Sequence, residues 1–122
     1  MTRPVLEPSA DHPITVEPTP SRVRVTVGDQ VIADTTDALT LQESTYAAVQ
    51  YVPLSDVDRS ALVRSNTTTY CPFKGDASYY SIVTPAGEFE DAIWEYQEPY
   101  PAVAGIRGRV AFYPDRVQIH ID

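Results

Sequence analysis

Arg22-Val-Arg-Val-Thr-Val27 places Val23, Val25 and Val27 on one side of the chain and Arg22, Arg24 and Thr26 on the other. This is the period of a strand with one buried face. Gly28-Asp29 reads as a tight turn into a second strand over residues 30–36, which makes a first hairpin. Residues 38–42 and 46–52 continue the pattern, so four strands arrive before any helical signal.

Downstream, one short helix is expected at residues 55–64. Ser55 is placed to cap it, Asp56 and Asp58 lie in its first turn, Arg64 lies in its last, and Leu54, Val57, Ala61 and Leu62 form the apolar stripe. Residues 79–84 and 88–96 then read as a hairpin around Pro85-Ala-Gly87, with Trp94 and Tyr96 sharing a face with Ala92. Residues 107–113 and 116–121 read as another hairpin around Pro114-Asp115. Short strands with turn signals between them and a single helix imply a mainly β fold. The expected architecture is two packed or rolled antiparallel sheets, tent-like or barrel-like.

At 122 residues the chain is expected to hold one domain, over 21–122, behind a tail at 1–20. Pro4, Pro8, Pro13, Pro18 and Pro20 make that tail extended or disordered, although Ile14 and Val16 alternate as an edge strand would. The formal net charge of -8 disfavours nucleic acid and anionic membranes as partners, and no apolar run is long enough to span a bilayer. A single cysteine rules out an intramolecular disulfide and cysteine-based zinc clusters. Residues 1–20 show no basic region followed by an apolar stretch, and cytoplasmic localisation is expected. Two histidines, His12 in the tail and His120 near the C-terminus, leave little material for histidine-led chemistry. No glycine-rich phosphate loop, nucleophile elbow, zinc-protease helix or calcium loop is present, so no cofactor and no metal are expected.

Chemistry concentrates in Tyr70-Cys-Pro-Phe-Lys-Gly75. The only thiol, Cys71, stands three positions from the only lysine, Lys74, in a segment that Pro72 stiffens and Gly75 lets turn. An ammonium near a thiol favours the thiolate, the nucleophilic form. Against this stands the ordinary use of free cysteine as a small buried residue and of lysine as a solvated loop charge. Tyr79, Trp94 and Tyr96 would form an aromatic wall if the 79–96 hairpin pairs, suited to a flat small molecule; the same rings would equally serve as core. Glu88, Glu90, Asp91, Glu95 and Glu98 read as a solvated strand edge. Glu43-Ser44, at the end of an apolar strand, would orient a ligand or cap a turn.

The series Glu43-Ser44, Tyr51-Val-Pro53, Ser55-Asp-Val57, Thr69-Tyr-Cys-Pro-Phe-Lys-Gly75 with Tyr79, Trp94-Glu-Tyr96, Pro99 and Gly108-Arg-Val-Ala-Phe-Tyr113 resembles the proteins grouped as domain of unknown function 427. The resemblance covers roughly residues 22 to 121. It implies a stand-alone β fold with folded-over sheets, of the tent-shaped kind, and chiefly bacterial occurrence. It carries site candidates onto Glu43, Ser44, Tyr51, Cys71, Lys74, Gly75, Tyr79, Trp94 and Tyr96. The sequence departs from the pattern at Ala47-Ala48, where proline is expected, and at Phe73, where tyrosine is usual. Some schemes label the family nucleotidyltransferase-like, but the phosphate-cradling element and spaced aspartates of such enzymes are absent.

Three functions follow as expectations. The first is a binding domain in which Ser44, Tyr51, Lys74, Tyr79, Trp94 and Tyr96 hold a small planar or anionic metabolite. The second is a small enzyme using Cys71 or Lys74, with Glu43 moving protons. The third is a structural or protein-interaction domain, favoured if the aromatic residues are wholly buried. The residues do not fix the oligomeric state.

Overall fold

The computed structural model describes residues 3–122 and contains ten strands in two antiparallel sheets. They are β1 (Ile14–Pro18), β2 (Val23–Val27), β3 (Gln30–Thr35), β4 (Leu39–Glu43), β5 (Val49–Pro53), β6 (Leu62–Cys71), β7 (Gly75–Thr84), β8 (Gly87–Tyr96), β9 (Arg109–Phe112) and β10 (Gln118–Ile121). The larger sheet has the order β1-β4-β5-β9-β8-β7-β6, and the smaller has the order β10-β2-β3. Neither sheet closes on itself, so the architecture is packed rather than barrel-like.

The β2–β3 hairpin forms where the valine alternation puts it, with Gly28 at a positive φ in the turn. Val23, Val25, Val27 and Ile32 from the small sheet meet Val52, Ile82, Ile93, Val110 and Phe112 from the large one. Each such aliphatic side chain contributes about 1.5–3 kcal/mol when fully buried, so this interface is the main source of stability.

The expected helix at 55–64 is replaced by two 3-10 turns, Leu54–Asp56 and Arg59–Ala61, and the chain enters β6 at Leu62. Long-range backbone bonds decide this. The Asp58 N–H donates to the Ile32 carbonyl at 2.7 Å, Val57 bridges Ala33, and the Thr35 hydroxyl donates to Asp56 at 2.7 Å. An α-helix would turn those backbone groups inward and forfeit the contacts to β3.

The expected hairpin at 107–121 does not form either. β9 lies between β5 and β8 in the large sheet, whereas β10 crosses over to pair with β2. Val110, Ala111 and Phe112 are all buried, so β9 is covered on both faces and needs a hydrogen-bonding neighbour on each side. Pro114 and Asp115 thus form a link between sheets.

The proline-rich stretch contributes β1, an edge strand whose Ile14 is in register with Glu43 and whose Val16 is in register with Leu41. Ahead of it, the arm over residues 3–13 is tied to the domain. Arg3 pairs with Asp76 and lies over the Tyr70 ring, the Tyr70 hydroxyl donates to the Pro4 carbonyl, and the Leu6 N–H donates to the Pro72 carbonyl. Among the described residues no helix is long and apolar enough to cross a membrane.

Candidate functional site

The free face of the large sheet is aromatic. Cross-strand register puts Tyr79 of β7 opposite Trp94 of β8, Trp94 opposite Ala111 of β9, and Tyr96 opposite Ala77. Tyr51 reaches the same face from β5, and a 3-10 segment, Pro101–Ile106, covers one part of it with Val103 and Ile106. Small alanines beside large rings leave a cavity of about 220 Å3, lined by Leu41, Glu43, Tyr46, Ala47, Val49, Tyr51, Lys74, Tyr79, Trp94, Tyr96 and Tyr113.

The Cys71–Gly75 turn joins β6 to β7 and aims Lys74 into this cavity. Gly75 has φ of 112°, and a Cβ there would lie 3.3 Å from the Glu98 carbonyl oxygen. Only glycine fits a turn both left-handed and pressed against backbone. The Tyr100 N–H donates to the Lys74 carbonyl at 3.0 Å and fixes the turn from its other side.

Lys74 is 8% exposed, and its ammonium donates to Glu43 Oε1. Its Nζ also lies 3.8 Å from Cys71 Sγ, a weak contact; Cys71 packs against the same aromatic cluster but does not line the cavity. Glu43 Oε2 is bonded to His12 Nε2 at 2.8 Å. The His12 ring stacks on Phe73 at 4.2 Å between centroids and meets Tyr46 edge-on. Burial raises the Glu43 carboxyl, but the bonds from Lys74 and then His12 outweigh it, and its pKa falls below the ordinary carboxylate value. An ionised Glu43 thus holds the polar end of the cavity.

The cavity floor carries hydroxyls. Trp94 Nε1–H donates to the Tyr51 hydroxyl at 3.2 Å, and the rings stand edge to face. Burial pushes the Tyr51 and Tyr96 phenols well above their usual range, so both keep their protons. Tyr79 shares a hydrogen bond of 2.8 Å with Thr69, and Trp94 packs against Tyr113 at 4.4 Å between centroids.

The fold thus gathers Glu43, Tyr51, Lys74, Tyr79, Trp94 and Tyr96 around one cavity. Ser44 is not in the lining: it adopts φ of 49° just after β4, and its N–H donates to the Pro13 carbonyl at 2.8 Å, a turning role. Ala92 packs into the opposite core cluster, because the ladder slips between Tyr80 and Ile82 beside a positive-φ Asp91. Glu95, expected on a solvated edge, is 5% exposed on an interior strand.

Leu41, Tyr46, Ala47, Val49 and Tyr113 complete the lining from outside the sequence-based set, and His12 joins Glu43 from outside it as well. His12 comes from the arm; pairing the Ile14/Val16 alternation with β4 is the one sequence signal that would have carried it to Glu43. Tyr113 comes from the end of β9, where it reads as a strand terminus. No curated protein matches the chain. The profile of one family matches residues 15–122, which takes in every cavity residue and leaves His12 outside, and the chain belongs to that family, described as Domain of unknown function (DUF427).

Proposed function

We propose that the protein is a small-ligand-binding domain whose site is the aromatic cavity beside the Cys71–Gly75 turn, holding a small planar or anionic metabolite. The observation that carries this reading is Lys74, a buried ammonium paired with Glu43 in a wall that is otherwise aromatic and aliphatic. Taking an ion pair out of water costs several kcal/mol per ion, and well-packed apolar residues of similar volume often stabilise a fold more. A charged pair beside unfilled space therefore fits recognition better than support. The test is thermal stability against a panel of metabolites. A ligand at about 100 times its dissociation constant adds about 2.7 kcal/mol, and Lys74→Met removes that gain. A panel in which no compound class moves the midpoint would sink the reading.

The contact between Lys74 Nζ and Cys71 Sγ favours a second reading, an enzyme with Cys71 as nucleophile and Lys74 as its electrostatic partner. Iodoacetamide alkylation across a pH series is clean because there is one thiol. Rapid modification at neutral pH that Lys74→Met slows would support it. A thiol that reacts only when the protein unfolds would remove it.

A further inference from the structure

The polar atoms around the cavity are unevenly matched, and the mismatch describes the missing partner. Tyr96 is 8% exposed and lines the cavity, yet its hydroxyl forms no hydrogen bond among the described residues. That oxygen is not among the fully sealed atoms, so it meets whatever occupies the cavity, and a ligand atom that completes its hydrogen bond is favoured over one that cannot. The Tyr51 hydroxyl accepts from Trp94 and still has its own proton to place. The Lys74 ammonium spends one proton on Glu43, directs another towards Cys71 and keeps a third. Both Glu43 oxygens are already engaged, by Lys74 and by His12, which leaves tyrosine hydroxyl oxygens as the cavity's own acceptors. Three donors therefore line one space, and a ligand acceptor answers more of them than a ligand donor does.

The charge of that acceptor follows from Glu43. Its carboxylate already neutralises Lys74, and a second carboxylate placed close to both would be repelled by Glu43 about as strongly as Lys74 attracts it. A full negative charge therefore gains little here. A neutral carbonyl oxygen takes the donors without that repulsion. A cavity of about 150 Å3 accepts benzene, so about 220 Å3 accepts one ring with a small substituent.

We infer that the cavity takes a neutral, planar, single-ring carbonyl compound, its oxygen received by the Tyr96 and Tyr51 hydroxyls and the Lys74 ammonium. The inference rests on the cavity being a ligand site and narrows the ligand from planar or anionic to planar, neutral and acceptor-bearing.

Trp94 is the only tryptophan, so its indole N–H gives a single reporter resonance at the cavity wall. Benzamide, benzoate and toluene, which share a ring and differ in substituent, are titrated at millimolar concentration into the full chain. Benzamide is expected to shift the resonance at concentrations about ten-fold lower than either of the others. Tyr96→Phe, which removes only an unpartnered hydroxyl, brings benzamide to the level of toluene and leaves toluene unchanged; Tyr51→Phe gives a second, independent reading. Benzoate binding as well as benzamide, or a preference that survives both substitutions, overturns the inference. Equal binding of all three rings removes the inference and leaves the planar-ligand reading standing, whereas no shift from any of them removes both.

Discussion

The two faces of the seven-stranded sheet bury carboxylates under opposite conditions. On the face covered by the small sheet, Glu95 is in register with Val110 among valines and isoleucines, and one of its buried oxygens has no hydrogen-bond partner. Burial raises its pKa, and Arg64 and Arg59 offset this only in part. On the aromatic face Glu43 is also largely buried, yet two partners hold it ionised and its pKa falls. One sheet thus buries a carboxylate as a tolerated misfit on one side and as a supplied, charged fixture on the other. The contrast teaches that burial alone does not mark a site; burial together with engaged partners and adjoining open space does.

Four measurements sharpen or break this comparison. The largest effect is expected from Glu43→Gln, which strands the Lys74 ammonium in a buried wall. Unfolding free energy in urea is expected to fall by about 3 kcal/mol, and adding Lys74→Met to recover most of it. A fall within experimental error would mean the ion pair does not hold the turn.

Glu95→Gln is expected to act the other way and stabilise the protein by about 1 kcal/mol at neutral pH, because it removes a buried charge that lacks a full set of partners. The pH dependence separates the two residues. The Glu95 pKa is raised, so its contribution is fully present below the ordinary value of 4.5 and lost as pH rises through its folded value. The Glu43 pKa is lowered, so its contribution is present above 4.5 and lost as pH falls through its folded value. Urea midpoints from about pH 3 to pH 7 are expected to show the Glu95→Gln advantage shrinking towards acid while the Glu43→Gln deficit shrinks as well. A pH-independent advantage for Glu95→Gln would show that Glu95 stays protonated throughout.

His12→Ala is expected to cost less, about 1 kcal/mol or roughly 4 °C in melting temperature, because its pair with Glu43 is partly exposed. The smallest effect is expected from Arg3→Ala, whose ion pair with Asp76 is open to solvent. Global stability is expected to stay unchanged while amide exchange in the arm accelerates; a drop in the melting temperature would make the arm part of the cooperative fold.

Much of the frame is legible in the amino-acid order where a rule is local. Strict valine alternation and a positive-φ glycine define β2 and β3 without help from distant residues. The Cys71–Gly75 segment and its aromatic neighbours read as a site because rare residue types gather within a few positions. Where distant backbone competes, local reading fails. The stripe of Leu54, Val57, Ala61 and Leu62 fits a helix as well as it fits two turns, and bonds to Ile32 and Ala33 choose between them. Pro114-Asp115 looks like a hairpin turn until β5 and β8 claim both edges of β9. Histidine in a proline-rich arm looks idle because Glu43, its partner, lies 31 residues away.

Gly75 has a further consequence. Its Cα faces the Glu98 carbonyl, and Lys74 beside it is tied to Tyr100, so the turn that presents the lysine is moulded on a segment more than twenty positions downstream. Because both ties run through backbone atoms, they depend on chain length and path more than on side-chain identity: an insertion or deletion near Pro99 is expected to tilt Lys74 as surely as a change within the turn itself.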